Sequence, residues 1–129
     1  YHGHPFDYVE KNGSGSYMDR ILEIPAVKLV PDTGWITHAR RDIIKFLEQN
    51  AARIPIIHLK DTKENDSITE LGNGIVDLPL VFDFAAAAGV EWLNYEQDDN
   101  FRISSLDSCR ISYEYMKNLS LKKNKEFLS

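Results

Sequence analysis

The chain has 129 residues, 43% of them hydrophobic and 27% charged, with a net charge of −5. That is enough apolar material for one globular core, and the scattered basic residues form no phosphate-binding stripe, so nucleic acid is not an expected partner. A single cysteine, Cys109, excludes an internal disulfide and a thiolate metal cluster and is expected as a small buried helix residue. No apolar run approaches the ~20 residues that span a bilayer, and no signal-peptide pattern stands out. The expected location is cytoplasmic, with the periplasm left open, and no membrane partner is expected.

The chain opens Tyr1-His2-Gly3-His4-Pro5 without an initiator methionine, which points to a fragment broken into at a strand. Gly13-Ser14-Gly15-Ser16 is a flexible loop. A short helical run, Tyr17 to Leu22, ends before Pro25. The apolar segment Ala26 to Val30 reads as a strand that runs into a loop at Pro31-Asp32-Thr33-Gly34. Ile43, Ile44, Phe46 and Leu47 recur at helical spacing within Arg41–Asn50. Ile54 to Leu59 is a second strand, followed by a polar loop from Lys60 to Ser67. Asp77 is a candidate N-cap with Pro79 just inside a helix that ends at Gly89, a residue suited to positive φ. Val90 to Glu96 is a third strand and Gln97 to Asn100 its loop. Leu106 to Leu119 is a last helix, with Cys109, Ile111, Tyr113 and Met116 on its apolar face, and the tail beyond Ser120 is expected to fray.

Short apolar strands alternating with helices predict α/β architecture with parallel strands, and chemistry at the strands' C-terminal ends. The polar residues at those ends are His2 and His4, Asp32, His58 and Glu96. Singly, each has a bland explanation: a core histidine, an Asx-turn before Thr33-Gly34, a surface acid. Together, on four successive strand ends, they suggest one shared divalent ion, because imidazole and carboxylate donors facing a partly dry mouth otherwise lack partners.

Taken in order, Asp32-Thr33-Gly34-Trp35, His58-Leu59-Lys60-Asp61, the Glu70-Leu71-Gly72-Asn73-Gly74 turn with Asp77 after it, and Glu96-Gln97-Asp98 resemble the xylose isomerase-like barrel superfamily. The resemblance is to its sugar phosphate isomerase/epimerase and inosose dehydratase-like members, and it runs from Tyr1 to about Lys117. It implies the C-terminal half of a (β/α)8 TIM barrel: residues 1–129 as a partial domain carrying strands five to eight and three to four helices, with 120–129 as a frayed tail. The implied metal ligands are His2, Asp32, His58 and Glu96, holding Mn, Mg, Co or Zn, with Glu96 also an acid/base. Trp35 and Lys60 are the implied substrate-binding residues, with Asp61 and the glycine turn given no firm role.

The implied function is a metal-dependent isomerase or epimerase acting on a sugar through an enediolate. A lyase or dehydratase on a keto-sugar or keto-inositol is the alternative. Departures from the pattern bear on the choice. His2 stands where epimerases of this kind have a second glutamate, which favours one-base isomerisation, or elimination with His2 or His4 as base. Trp35 stands where many relatives have a histidine, which disfavours the nuclease branch, and Gly3 stands where an asparagine is common. A complete barrel needs about 250 residues, so the expected partners are a sugar and either the missing N-terminal half or a second copy. The fragment alone is expected to be inactive.

Overall fold

The computed structural model describes residues 1–126, with side chains placed through Lys122. Its frame is a set of parallel segments in chain order. β1 (Ile56–Leu59) and β4 (Trp92–Tyr95) form a parallel ladder with Ile56 opposite Trp92 and Leu59 opposite Tyr95. On the other side of β1, single parallel bridges join Asp32 to His58 and Val30 to His2. The expected strand over Ala26–Val30 is thus reduced to bridged residues on either side of Pro31. Pro25 and Ala26 lie in a turn, and Pro31 has no N–H to continue a ladder. Its carbonyl still accepts from the His58 amide at 2.9 Å, which keeps the segment in register.

Helices connect the segments: α1 (Pro5–Tyr8), α2 (Tyr17–Leu22), α3 (Thr33–His38), α4 (Ile43–Gln49), α5 (Leu78–Ala88) and α6 (Ser105–Glu126). The caps of α5 are as the sequence suggests. Asp77 accepts from the Leu80 amide at 3.2 Å, and Gly89 sits at φ 70°, a conformation cheap only without a Cβ. Asp32 does not lead into a loop. Its Oδ1 accepts from the Trp35 amide at 3.0 Å and starts α3 at once. Within the expected polar loop after Lys60 lies a small hairpin, β2 (Asp61–Thr62) against β3 (Ile68–Thr69).

The last helix departs most from expectation. Helical backbone runs past the expected end at Leu119 to Glu126, in a stretch with no glycine or proline and three lysines, and residues 127–129 of the expected tail lie outside the described residues. Its inward face is also different. Cys109 and Tyr113 are exposed, whereas Ser108 and Ser112 are fully buried, with Tyr115 and Met116 packed on the core. Hydrogen bonds set this phase. The Ser108 hydroxyl donates to Glu70 at 2.7 Å, and the Leu71 amide donates to Ser112 Oγ at 3.1 Å.

Glu70 is therefore a buried anchor between the β3 exit and the start of α6. Burial alone would raise its carboxyl. The Ser108 hydroxyl, the Arg102 amide and the Arg102 charge outweigh burial and hold it below the ordinary glutamate range. A carboxyl lowered in the folded state contributes stability that is complete above the unfolded value of ~4.3 and is lost as pH falls through the folded one. Glu70→Gln should therefore flatten part of the acid limb of stability against pH. Urea unfolding at pH 7 and pH 3 reads this directly, and an unchanged pH dependence would count against the anchor.

Strand alternation sorts the side chains into two faces. Ile57 and Leu59 point to the helices and are fully buried with Leu47, Leu78 and Val81. Ile56, His58, Trp92 and Asn94 share the other face by register. That face is open, and Trp92 is 64% exposed on it. Among the described residues, nothing pairs with the outer edge of β4 or with that of the His2 segment. No helix among them is long and apolar enough to cross a membrane.

Candidate metal centre

Parity in the parallel segments decides which side chains meet at the mouth. Because His2 pairs with Val30, Asp32 with His58, and His58 with Asn94, residues 2, 32, 58 and 96 all project from the open face. One donor atom from each of His2, Asp32, His58 and Glu96 lies within 4.8 Å of the other three. The four residues expected as ligands are thus brought together from four adjacent segments.

The donor set fits a divalent ion. Two imidazoles and two carboxylates suit the borderline metals Mn, Fe, Co and Zn. His2 Nε2 is buried without a hydrogen bond and stands 3.5 Å from Asp32 Oδ2. His58 Nδ1 is in direct contact with Glu96 Oε2. The His2 and His58 rings face one another with centroids 4.6 Å apart. Asp32 divides its two oxygens: Oδ1 caps α3, and Oδ2 turns toward the cluster.

The other expected site residues are placed as follows. His4 lies outside the four-residue group; it is exposed, edge-on to His2 at 5.1 Å and stacked on Phe6. Lys60, one strand step beyond His58, is completely buried. Its ammonium donates a hydrogen bond to Glu96 at 3.0 Å and forms ion pairs with Asp98 at 2.7 Å and Asp32 at 3.0 Å. Burial pulls its pKa down, but the Asp32 charge and the bonds to Asp98, Glu96 and Asp32 outweigh that pull and hold it above the ordinary lysine range. Trp35 is half-buried, and its ring covers the Lys60 ammonium at 3.8 Å. Substrate contact by Lys60 requires this net to open. Gly3 leaves no room for a side chain, because a Cβ there would press on Met18 and the Tyr8 hydroxyl.

Two residues given no role from sequence prove structural. Asp98 is the third carboxylate on Lys60. Asp61, with parity opposite to Lys60, points away from the mouth and is buried. It accepts from the amides of Thr62, Gly72, Gly74 and Val76 at 2.9–3.1 Å. The glycine turn after Glu70 is closed by this carboxylate. An aspartate at a strand end followed by a paired-glycine turn is the signal that could have exposed it.

No protein-family model matches the sequence, and no curated protein matches it significantly. Solved structures do match. Two crystal structures of sugar phosphate isomerase/epimerases from Parabacteroides distasonis ATCC 8503 superpose with TM-scores of 0.75 and 0.72 at 18% and 21% identity, over 89% of this chain. An L-ribulose 3-epimerase superposes with a TM-score of 0.63 at 16% identity, over 83% of it. The chain spans 43% of the length of the first two and 41% of the third. In fold, the chain corresponds to about half of a TIM barrel.

Proposed function

We propose that this chain carries the metal-binding mouth of a divalent-metal-dependent isomerase or epimerase acting on a sugar or sugar derivative. The observation that carries the reading is the convergence of His2, Asp32, His58 and Glu96 at the ends of four parallel segments. The likeness to sugar phosphate isomerase/epimerases and to an L-ribulose 3-epimerase supports a sugar as the substrate class. The segments correspond, on this reading, to strands five to eight of a complete barrel.

A divalent ion held there would supply Lewis-acid polarisation of a sugar's carbonyl and neighbouring hydroxyl oxygens. The chain's own residues do the rest. Glu96 is the carboxylate positioned to accept the proton from the carbon next to the carbonyl, giving an enediolate, and to return it to the neighbouring carbon. Asp32 is poorly placed for that work, being fully buried with one oxygen committed to the Trp35 amide, whereas Glu96, though it also meets Lys60 and His58, keeps part of its side chain exposed at the mouth. Trp35 offers a flat apolar edge to sugar C–H surface. The arrangement therefore favours one-base proton transfer over a two-carboxylate epimerisation. A lyase reading draws support from His4, exposed beside His2 and placed to remove a proton in a β-elimination.

The uncovered face and unpaired edges support a second half-barrel, or a second copy, as the partner needed for turnover. The test has two arms. The chain titrated with Mn²⁺ should bind one ion. The protein containing both halves, loaded with Mn²⁺ in D2O, should exchange the hydrogen next to a ketose carbonyl, read by proton NMR. Absence of both the binding and the exchange would sink the proposal.

A further inference from the structure

Lys60 is held more thoroughly than any other charged residue near the mouth, and every residue of the Asp32-Thr33-Gly34-Trp35 run takes part. Asp32 Oδ2 pairs with its ammonium at 3.0 Å. The Thr33 hydroxyl donates to the Lys60 carbonyl at 2.6 Å and accepts from the Lys60 amide at 2.9 Å. Gly34 makes room for its stem: a Cβ at that position would come within 2.6 Å of Lys60 Cγ and 3.0 Å of Cβ and Cδ. Trp35 roofs the ammonium. A side chain clamped at backbone, stem and head is not a mobile substrate hand, since each clamp would have to break for it to swing out.

Its ammonium holds the same two carboxylates a metal would use, and at Asp32 the same oxygen. Asp32 has one oxygen left after capping α3, and that oxygen serves both Lys60 and the ligand cluster. Glu96 gives Oε1 to Lys60 while Oε2 meets His58. Three carboxylates converge on this point, Asp32, Glu96 and Asp98, with Lys60 as the cation among them. Without it, like charges would face each other in a partly desolvated site, which is strongly unfavourable.

We propose that Lys60 is a resident counter-cation that keeps the ligand cluster assembled without metal and opposes the entry of a divalent ion, so setting the site's metal affinity. The inference rests on the metal reading above. Its consequence is a site that stays folded when empty and holds its ion less tightly than its donors alone would allow.

The experiment compares the wild-type chain with Lys60→Met, which keeps the buried stem's bulk and removes the charge. With EDTA present, Lys60→Met should melt several degrees lower. Calorimetric titration with Mn²⁺ should show it binding at least about tenfold more tightly than wild type, so that added metal restores the lost stability. Gly34→Ala, which pushes on the stem, should move both quantities in the same direction by less. In wild-type chain carrying ¹⁵N-labelled lysine, the buried ammonium should give a slowly exchanging signal in EDTA that shifts when Zn²⁺ is added. Equal or weaker Mn²⁺ binding by Lys60→Met, with wild type still binding, overturns the role of Lys60 and leaves the metal site standing. Absence of binding by both chains overturns both. Unchanged melting in EDTA, or an ammonium signal indifferent to Zn²⁺, overturns the counter-cation role alone.

Discussion

Asp61→Asn is expected to destabilise the chain by about 2–4 kcal/mol, although it removes a buried charge. The carboxylate accepts four backbone amides, with Thr62 and Val76 on Oδ1 and Gly72 and Gly74 on Oδ2. An asparagine offers one oxygen and one NH2 group, so in either orientation two amides face a donor. Each buried N–H without an acceptor costs about 1–3 kcal/mol. Part of this is recovered, because burial raises the Asp61 carboxyl above the ordinary aspartate range against the pull of the four amides. The backbone cannot rescue the variant by shifting, since Gly74 already packs against Asp61 and the Thr62 carbonyl with no space for a Cβ. Urea unfolding at neutral pH measures the loss. A cost below about 1 kcal/mol would mean that the 72–76 turn does not depend on this carboxylate.

Asp61 also shows what could and could not be read from sequence. Alternation along a strand made His58 and Glu96 legible as mouth residues, because period-two geometry needs only the strand and its last residue. The same rule places Leu59 and Asp61 on the helix side. But a charged residue on that side has a partner far along the chain, and here the partners are amides 11 to 15 residues later. The paired-glycine turn is the one hint of them, and it lies outside the strand whose alternation is being read. The phase of α6 is only partly legible for a similar reason. Of Cys109, Ile111, Tyr113 and Met116, Met116 packs on the core and Ile111 is half-buried, but Cys109 and Tyr113 face out and two serines turn inward because Glu70 and the Leu71 amide need hydrogen-bond partners. In sequence the 32–35 run offers a metal ligand, Asp32, and a substrate contact, Trp35, with Thr33 and Gly34 as loop. Thr33, Gly34 and Trp35 all act on Lys60, 27 residues away in the case of Thr33, and only the parallel register brings them into contact. The frame of alternating strands and helices was legible because each element's own periodicity carries it. The single-bridge state of the 30–32 segment was not, as it depends on how Pro31 interrupts a ladder whose partner is elsewhere.

His58→Ala should weaken Mn²⁺ binding by at least about 100-fold while leaving the metal-free fold close to wild type. Outer-shell changes at metal sites already cost about 10–100-fold, and removal of a direct ligand should exceed that. His58 occupies the centre of the cluster: its Nδ1 meets Glu96, its ring faces His2 at 4.6 Å, and its backbone amide bonds Pro31 beside Asp32. Losing the imidazole removes one donor and also releases Glu96 Oε2 from its contact with Nδ1. The backbone ladder is untouched, and the side chain is 23% exposed on the open face, so little apolar burial is lost. Stability in EDTA should therefore change by less than about 1 kcal/mol. His4→Ala separates a ligand effect from a general loss of histidine near the mouth. His4 is outside the group whose donors converge, so its loss should change Mn²⁺ affinity by less than about threefold. Equal affinity losses in the two variants, or stoichiometric metal retained by His58→Ala, would remove His58 from the ligand set and with it the four-segment centre on which the functional reading stands.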